Sequence, residues 1–554
     1  MQKDAMTMAK HTLTVREATL DVLRSFGVDR VFGNPGSTEL AFLHDWPDDI
    51  DYVLGLQEAC VVGMADGYAQ ATGRPAFVNL HSAAGLGHAL GNLFTAFRNK
   101  TPLVVTAGQQ ARSILALRPY LFAEEAAQFP KPYVKWSVEP ARAEDVPAAI
   151  AKAFLISMQH PRGPTFVSIP SDDWARPGSV PEIRSIAGEF APDITAIERL
   201  AAAIAKADNP VFVVGPDVDR NGAVEQMVAI AERAKAAVWA SPMSSRASFP
   251  ERHPLFAGFL HAAPGALAEA LRGADLIVVF GAPVFTFHVE GYCDLFTNGT
   301  PIWQITDDPT EAATSPVGES LIGTIPKSLT ALLSALPDTT QRQAPAARKA
   351  PPVPQAATPI PPSFALSRLS ALLPPAAIVV EEAPSHRPAI QTYFPMAGAD
   401  SFYTMSSGGL GYSLPASVGV ALARPGQRII CLIGDGSAMY CVQGIWTAVQ
   451  QRLPITFVVM NNSGYGAMRF FSRIMQAERP PGIDLPGLDF VSLARGFGCP
   501  AQRVTEPGDL DRALTDAFAH DGPCLVDIAV DETVSILFEE RKKDAITSSK
   551  EITP

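Results

Sequence analysis

The apolar run Ile429-Ile430-Cys431-Leu432-Ile433 ends directly in Gly434-Asp435-Gly436-Ser437, and the next such run, 455–460, ends in Asn461-Asn462. Asp435 and Asn462 lie 27 positions apart (462 − 435), room for one helix and one returning strand. Continuous apolar runs joined in this way predict neighbouring parallel strands buried on both faces. Both polar side chains then stand at one carboxyl edge, where open α/β sheets bind ligands. Gly434 and Gly436 let the backbone come close to a ligand, and a helix opening near Ser437 would turn unpaired amides toward an anion. A carboxylate and an amide oxygen are hard donors suited to Mg2+, whose other ligands would be water and phosphate oxygens.

The same alternation of strand and helix fills the rest of the chain. Helical spacing over 15–27 is followed by apolar strands at 52–56, 76–80, 103–106 and 165–169, which predicts one unit over 12–180. A second unit, 193–336, contains Pro210-Val211-Phe212-Val213-Val214 and Leu276-Ile277-Val278-Val279-Phe280, each run ending in glycine. Residues 337–363 hold Pro337, Pro345, Pro351, Pro352, Pro354, Pro359, Pro361 and Pro362, a semi-rigid linker by composition. The third unit spans 364–545. With 554 residues the chain is too long for a single core. The expected fold class is α/β, with three doubly wound, mainly parallel-sheet domains.

Composition removes other classes. A net charge of −12 with no basic run disfavours nucleic acid and anionic membrane. No stretch has the ~20 apolar residues needed to span a bilayer, and residues 1–14 lack a signal-type apolar core. Six scattered cysteines without a CxxC pair read as reduced thiols, so a cytoplasmic enzyme is expected.

Glu58 follows the strand-like 52–56 and precedes Ala59-Cys60-Val61-Val62-Gly63-Met64-Ala65. A carboxyl at so apolar a helix start can share a proton with a ring nitrogen. It can equally serve as an ordinary helix cap.

The Gly-Asp-Gly-Ser and Asn-Asn pair resembles the fingerprint of thiamine-diphosphate enzymes. Four further segments carry a closer likeness: Gly33-Asn34-Pro35-Gly36-Ser37, Leu56-Gln57-Glu58-Ala59-Cys60, Asn79-Leu80-His81-Ser82-Ala83-Ala84-Gly85 and Thr106-Ala107-Gly108-Gln109-Gln110. It continues in Gly215-Pro216-Asp217-Val218-Asp219, Gly281-Ala282-Pro283-Val284-Phe285, Gly408-Gly409-Leu410-Gly411 and Tyr465-Gly466-Ala467-Met468-Arg469. Together they resemble the thiamine-diphosphate-dependent 2-oxo-acid decarboxylases, in the benzoylformate decarboxylase branch.

That resemblance implies thiamine diphosphate and Mg2+ as cofactors and a small aromatic 2-oxo acid, benzoylformate-like, as substrate, giving an aldehyde and CO2, with carboligation as a side activity. It also implies a homodimer or homotetramer, because the cofactor lies between subunits. By position, Glu58 would face the aminopyrimidine, Gly408 would accept from it and Leu410 would bend the cofactor. Asp435, Asn462 and the Gly464 carbonyl would hold the metal, with Gly434, Gly436, Ser437 and Tyr465 around the diphosphate. Ser37 would bind the substrate carboxylate, and His81 and His288 would move protons. Met468 and Phe471, three apart on one helix face, would line the pocket with Tyr120 and Leu121.

Each of these residues also has a plain structural reading. Ser37 can be a turn residue, His81 and His288 satisfied structural histidines, and Met468 and Phe471 core. Ala383-Pro384-Ser385-His386-Arg387 departs from the family pattern: His386 or Arg387 would either attract a second anionic group or face solvent. Two rivals stand beside the decarboxylase. One is an acetolactate-synthase-like ligase or flavin-dependent oxidase on the same scaffold; the other is a non-catalytic, cofactor-binding assembly partner.

Overall fold

The computed structural model describes residues 13–337, 341–396 and 398–532. The expectations for residues 1–12, 338–340 and the polar tail lie outside the described residues.

Three six-stranded sheets follow one another along the chain, and every pairing between their named strands is parallel. The first holds β1 (Arg30–Asn34), β2 (Asp51–Leu54), β3 (Ala76–Leu80), β4 (Leu103–Gln109), β5 (Trp136–Val138) and β6 (Thr165–Pro170). The second holds β7 (Pro210–Val214), β8 (Ala237–Ala240), β9 (Phe256–Phe259), β10 (Leu276–Phe280), β11 (Ile302–Thr306) and β12 (Glu319–Ile322). The third holds β13 (Ile378–Glu382), β14 (Phe402–Thr404), β15 (Ile429–Gly434), β16 (Ile455–Asn461), β17 (Ala501–Val504) and β18 (Cys524–Ala529). Helices cover the sheets, so the central strands β3, β4, β7, β10 and β16 are buried along their whole length. That double burial is why they read as unbroken apolar runs.

The strand order is β2-β1-β3-β4-β6-β5 in the first sheet and β14-β13-β15-β16-β18-β17 in the third. Counted from each domain's own start, these are the same order. The middle sheet, β12-β11-β10-β7-β8-β9, follows the other doubly wound plan. Between the middle and last sheets, residues 341–357 carry no helix or strand, as a proline-rich stretch without backbone donors would dictate.

The first and third domains meet through the helices Glu58–Thr72 and Ser413–Ala423, each following the second strand of its own sheet. Glycines make this close approach possible. A Cβ on Gly67 would overlap the Ala416 carbonyl, and one on Gly419 would overlap the Met64 carbonyl. The middle domain is fastened to the first by Lys100, whose ammonium reaches Asp217 at 2.8 Å and Glu311 at 2.9 Å.

One local expectation is corrected. The helix foreseen near Ser437 opens at Asp435 and closes at Ala438 after a single turn; the next helix is Gly444–Gln450. Within that turn the Asp435 carboxylate accepts the Gly436 amide at 2.8 Å.

Candidate active site

Glu58 is the first residue of its helix, but it is not the cap. Gln57 is: its side-chain oxygen accepts the amides of Ala59 (2.6 Å) and Cys60 (3.2 Å). With that duty taken, the largely buried Glu58 carboxyl turns elsewhere. Asn34 Nδ2, at the end of β1, lies 3.3 Å from Oε1, and His88 Nδ1 lies 3.1 Å from Oε2.

His81 caps the end of β3 and opens the helix Ser82–Arg98. Its Nδ1 lies 2.9 Å from Glu39 Oε2, and Thr38 Oγ1 lies 3.2 Å from the same nitrogen. Glu39, only 1% exposed, also accepts the amides of Gly36 (2.8 Å) and Gly108 (3.0 Å) and the hydroxyl of Thr38 (2.6 Å). One carboxylate thus ties the 35–37 turn, β4 and His81 together. Ser37 stands exposed on that turn.

In the third domain, Asp435 and Asn462 follow the adjacent strands β15 and β16 and are both buried. Asp435 Oδ2 accepts the Gly464 amide at 2.9 Å. Burial pushes the Asp435 carboxyl above the usual aspartate range, and nearby Asp527 adds to this against the pull of the Gly436 and Gly464 amides. Asn462 Nδ2 is buried with no hydrogen-bond partner. A raised carboxyl beside an orphaned amide is a donor set that a cation and its bound oxygens would satisfy. Among the described residues no cluster of three His, Cys, Asp or Glu could hold a metal. A Cβ on Gly436 would overlap the Tyr465 ring, so close packing requires glycine there. Gly434 meets only ordinary contacts, the nearest at 3.8 Å, so its small size serves nothing within the chain.

Gly408 sits at φ 74° and Gly411 at φ 101°, and Leu410 between them packs partly against the shared core. That turn is anchored by Glu382, which accepts the amides of Gly411, Tyr412 and Ser413, each at 2.7 Å. Burial pushes the Glu382 carboxyl up to about 7 while the three amides oppose the shift.

His288 and Phe471 come together from different domains, with ring centroids 5.0 Å apart and planes 32° apart. Phe471 lies on the helix Gly466–Ile474, whose start is pinned by Ser385 Oγ accepting the Ala467 amide at 3.0 Å. Met468 on that helix is half exposed. Tyr120 is 88% exposed and Leu121 adopts φ 64°, so the chain by itself leaves this loop on the surface.

Both alternatives for His386 and Arg387 are corrected. Arg387 Nη1 pairs with the buried Glu381 at 3.0 Å, and Nη2 reaches Thr404 Oγ1 at 3.3 Å. His386 is 1% exposed, and burial lowers its pKa to about 4. The sequence reading missed Glu39, Gln57, His88, Glu381, Glu382 and Ser385. Only Glu39 had a visible signal, as an acid in the glycine-rich turn after β1.

Three family models match the chain: "Thiamine pyrophosphate enzyme, N-terminal TPP binding domain" over 13–128, the central domain over 197–332, and the C-terminal TPP binding domain over 383–528. The chain is 42% identical over 519 residues to benzoylformate decarboxylase of Pseudomonas aeruginosa, covering 93% of this chain and 98% of that one. It is 30% identical to a putative acetolactate synthase large subunit of Mycobacterium tuberculosis, covering 94% and 99%. Among solved structures, benzoylformate decarboxylase from Polynucleobacter necessarius superposes with a TM-score of 0.91 at 41% identity, covering 94% and 99%. The 4-hydroxybenzoylformate decarboxylase of Rhodococcus jostii superposes at 0.90 with 40% identity and the same coverage.

Proposed function

The chain belongs to the thiamine pyrophosphate enzymes, as a decarboxylase similar to benzoylformate decarboxylase, and from that premise we propose that it converts an aromatic 2-oxo acid of the phenylglyoxylate class to its aldehyde and CO2. The observation that carries the aromatic substrate is the His288–Phe471 ring pair, an apolar aromatic wall joined to a proton-carrying group. The names of the two decarboxylases above, benzoylformate and 4-hydroxybenzoylformate, support the same class.

When bound, thiamine diphosphate supplies the electron sink for the pair released with CO2. In this reading Asp435, Asn462 and the Gly464 carbonyl would hold Mg2+, and Gly434, Gly436, Ser437 and Tyr465 would bind the diphosphate. Glu58 would hold and return a proton at the cofactor's ring nitrogen, the Gly408 carbonyl would accept from its amino group, and Leu410 would pack against it. Ser37 donates to the substrate carboxylate. His81 and His288 would move protons to and from the bound substrate at different stages of the cycle. Tyr120, Leu121, Met468 and Phe471 shape the space for the aryl group.

The two halves of this machinery lie on separate domains, and a second copy of the chain is the partner that completes each site. The working form is therefore a homodimer or homotetramer in the cytoplasm, and joining two aldehydes is an accompanying activity. A flavin in the middle domain is disfavoured by Lys100, which fills that sheet's carboxyl edge with ion pairs to Asp217 and Glu311.

The deciding experiment measures CO2 and benzaldehyde release from phenylglyoxylate, with and without thiamine diphosphate and Mg2+. Cofactor-dependent benzaldehyde supports the proposal. No product from protein that binds the cofactor overturns the substrate class.

A further inference from the structure

The helix Ser82–Arg98 presents His81, Gly85 and His88 at positions i, i+4 and i+7, one stripe along its length. Both histidines of the stripe meet a glutamate: His81 meets Glu39 and His88 meets Glu58. Gly85 between them crowds Glu58: a Cβ there would stand 3.1 Å from Oε1 and 3.2 Å from Cγ, so any larger residue would push on the carboxyl. The Glu58 carboxyl is therefore confined on three sides. Asn34 holds one oxygen, His88 the other, and the Gly85 backbone closes off the space between.

We infer that His88 is a positioning residue for Glu58, fixing the rotation of the carboxyl through its contact with Oε2. The inference rests on the reading of Glu58 as the carboxyl that faces the cofactor ring. A carboxyl on a long side chain has several rotamers, and a proton donor or acceptor works only when held near its productive geometry. Gln57 takes the capping bonds that would otherwise pin Glu58 to its own helix, so the restraint has to come from outside. His88 and Asn34 are the side chains that provide it. Without His88 the carboxyl keeps only the longer contact, 3.3 Å to Asn34.

The test compares His88→Ala, His88→Asn and Glu58→Ala, each loaded with thiamine diphosphate and Mg2+. Three quantities are read: cofactor affinity by fluorescence quenching, near-ultraviolet circular dichroism of the bound cofactor, and kcat and KM on phenylglyoxylate. Asparagine places an amide nitrogen close to where Nδ1 stands, so it keeps the contact while alanine removes it.

The expected result is that His88→Ala lowers kcat by about 10- to 100-fold, the loss of one hydrogen bond to a charged group, with KM within about twofold. The dichroism of the bound cofactor should change in His88→Ala, and both signals should return in His88→Asn. Wild-type kcat and dichroism in His88→Ala, with Glu58→Ala inactive, overturn the role of His88 alone. Equal losses in alanine and asparagine variants also overturn it, since a contact through Nδ1 would have been rescued. Full activity in Glu58→Ala instead overturns the reading of Glu58, whatever His88 does. The dichroism needs no substrate, so it decides the matter even if phenylglyoxylate is not turned over.

Discussion

Glu39 Oε2 lies 2.9 Å from His81 Nδ1, and this contact decides which nitrogen His81 offers to the site. A carboxylate accepts, so Nδ1 carries a proton toward Glu39 and Nε2 is the nitrogen turned to the site. Glu39→Gln would place an amide group opposite the Gly36 and Gly108 donors. It should cost about 1–3 kcal/mol of stability for the unsatisfied buried group, seen in urea unfolding, together with a fall in kcat. A fully stable and active Glu39→Gln would mean that the orientation of His81 is set by Thr38.

Glu58→Ala should fold normally, because Gln57 caps the helix, and should lower turnover by ~100- to 10,000-fold, the range for a lost proton-transfer group. Far-ultraviolet dichroism checks the first half and steady-state kinetics the second. Activity within threefold or so of wild type would contradict the assignment.

If Asp435 and Asn462 meet the cofactor through a metal, as proposed, chelation of divalent cations should release thiamine diphosphate. Equilibrium dialysis in chelator reads this directly. Asp435→Ala should lose the cofactor in the same way at saturating Mg2+. Undiminished affinity in both would remove the metal from the site.

Lys100→Met removes the cation from partly buried Glu311 and leaves buried Asp217 with Arg220 as its remaining partner. Burial opposes the ammonium charge of Lys100, yet Asp217 and Glu311 hold its pKa above that of an ordinary lysine. Breaking such a cluster on one side typically costs ~3–5 kcal/mol, and thermal unfolding of the variant should show it.

Asp66 gives a pH prediction. Burial raises its carboxyl to about 6, against donors from Gln70, Thr101 and Asn99. Its folded pKa lies above its unfolded value near 3.8, so the folded chain keeps a proton that the unfolded chain releases. Stability should therefore fall as pH rises from about 4 to about 6, by up to ~1.4 kcal/mol per unit. Asp66→Asn should flatten that slope in pH-dependent urea unfolding.

Much of the fold could be read from the chain because its buried parallel strands are continuous apolar runs, such as Ile429–Gly434 and Leu276–Phe280. The ends of those runs located Asp435 and Asn462. Partners could not be read in the same way. Nothing in the spacing of Glu39 and His81, or of Glu58 and His88, says that they touch, because each contact joins separate elements of a folded domain. Arg387 illustrates the reverse error. A cation in a loop looks available until the burial of Glu381 beside it is known. Strand order was equally hidden, since two sheet plans produce the same alternation of strand and helix.

The shared strand order of the first and third sheets makes one polypeptide resemble two like halves joined in a contact along the Glu58–Thr72 and Ser413–Ala423 helices. Like a true isologous contact, it buries matching surfaces, each notched by glycine to admit the other's backbone. His81 and Asp435 then occupy the same station, each just past the third strand of its own sheet. A duplicated ancestor would have carried identical groups at both stations. Here one station bears an imidazole beside a carboxylate and the other a carboxylate beside an unsatisfied amide, so equivalent places in two like sheets carry different chemistry.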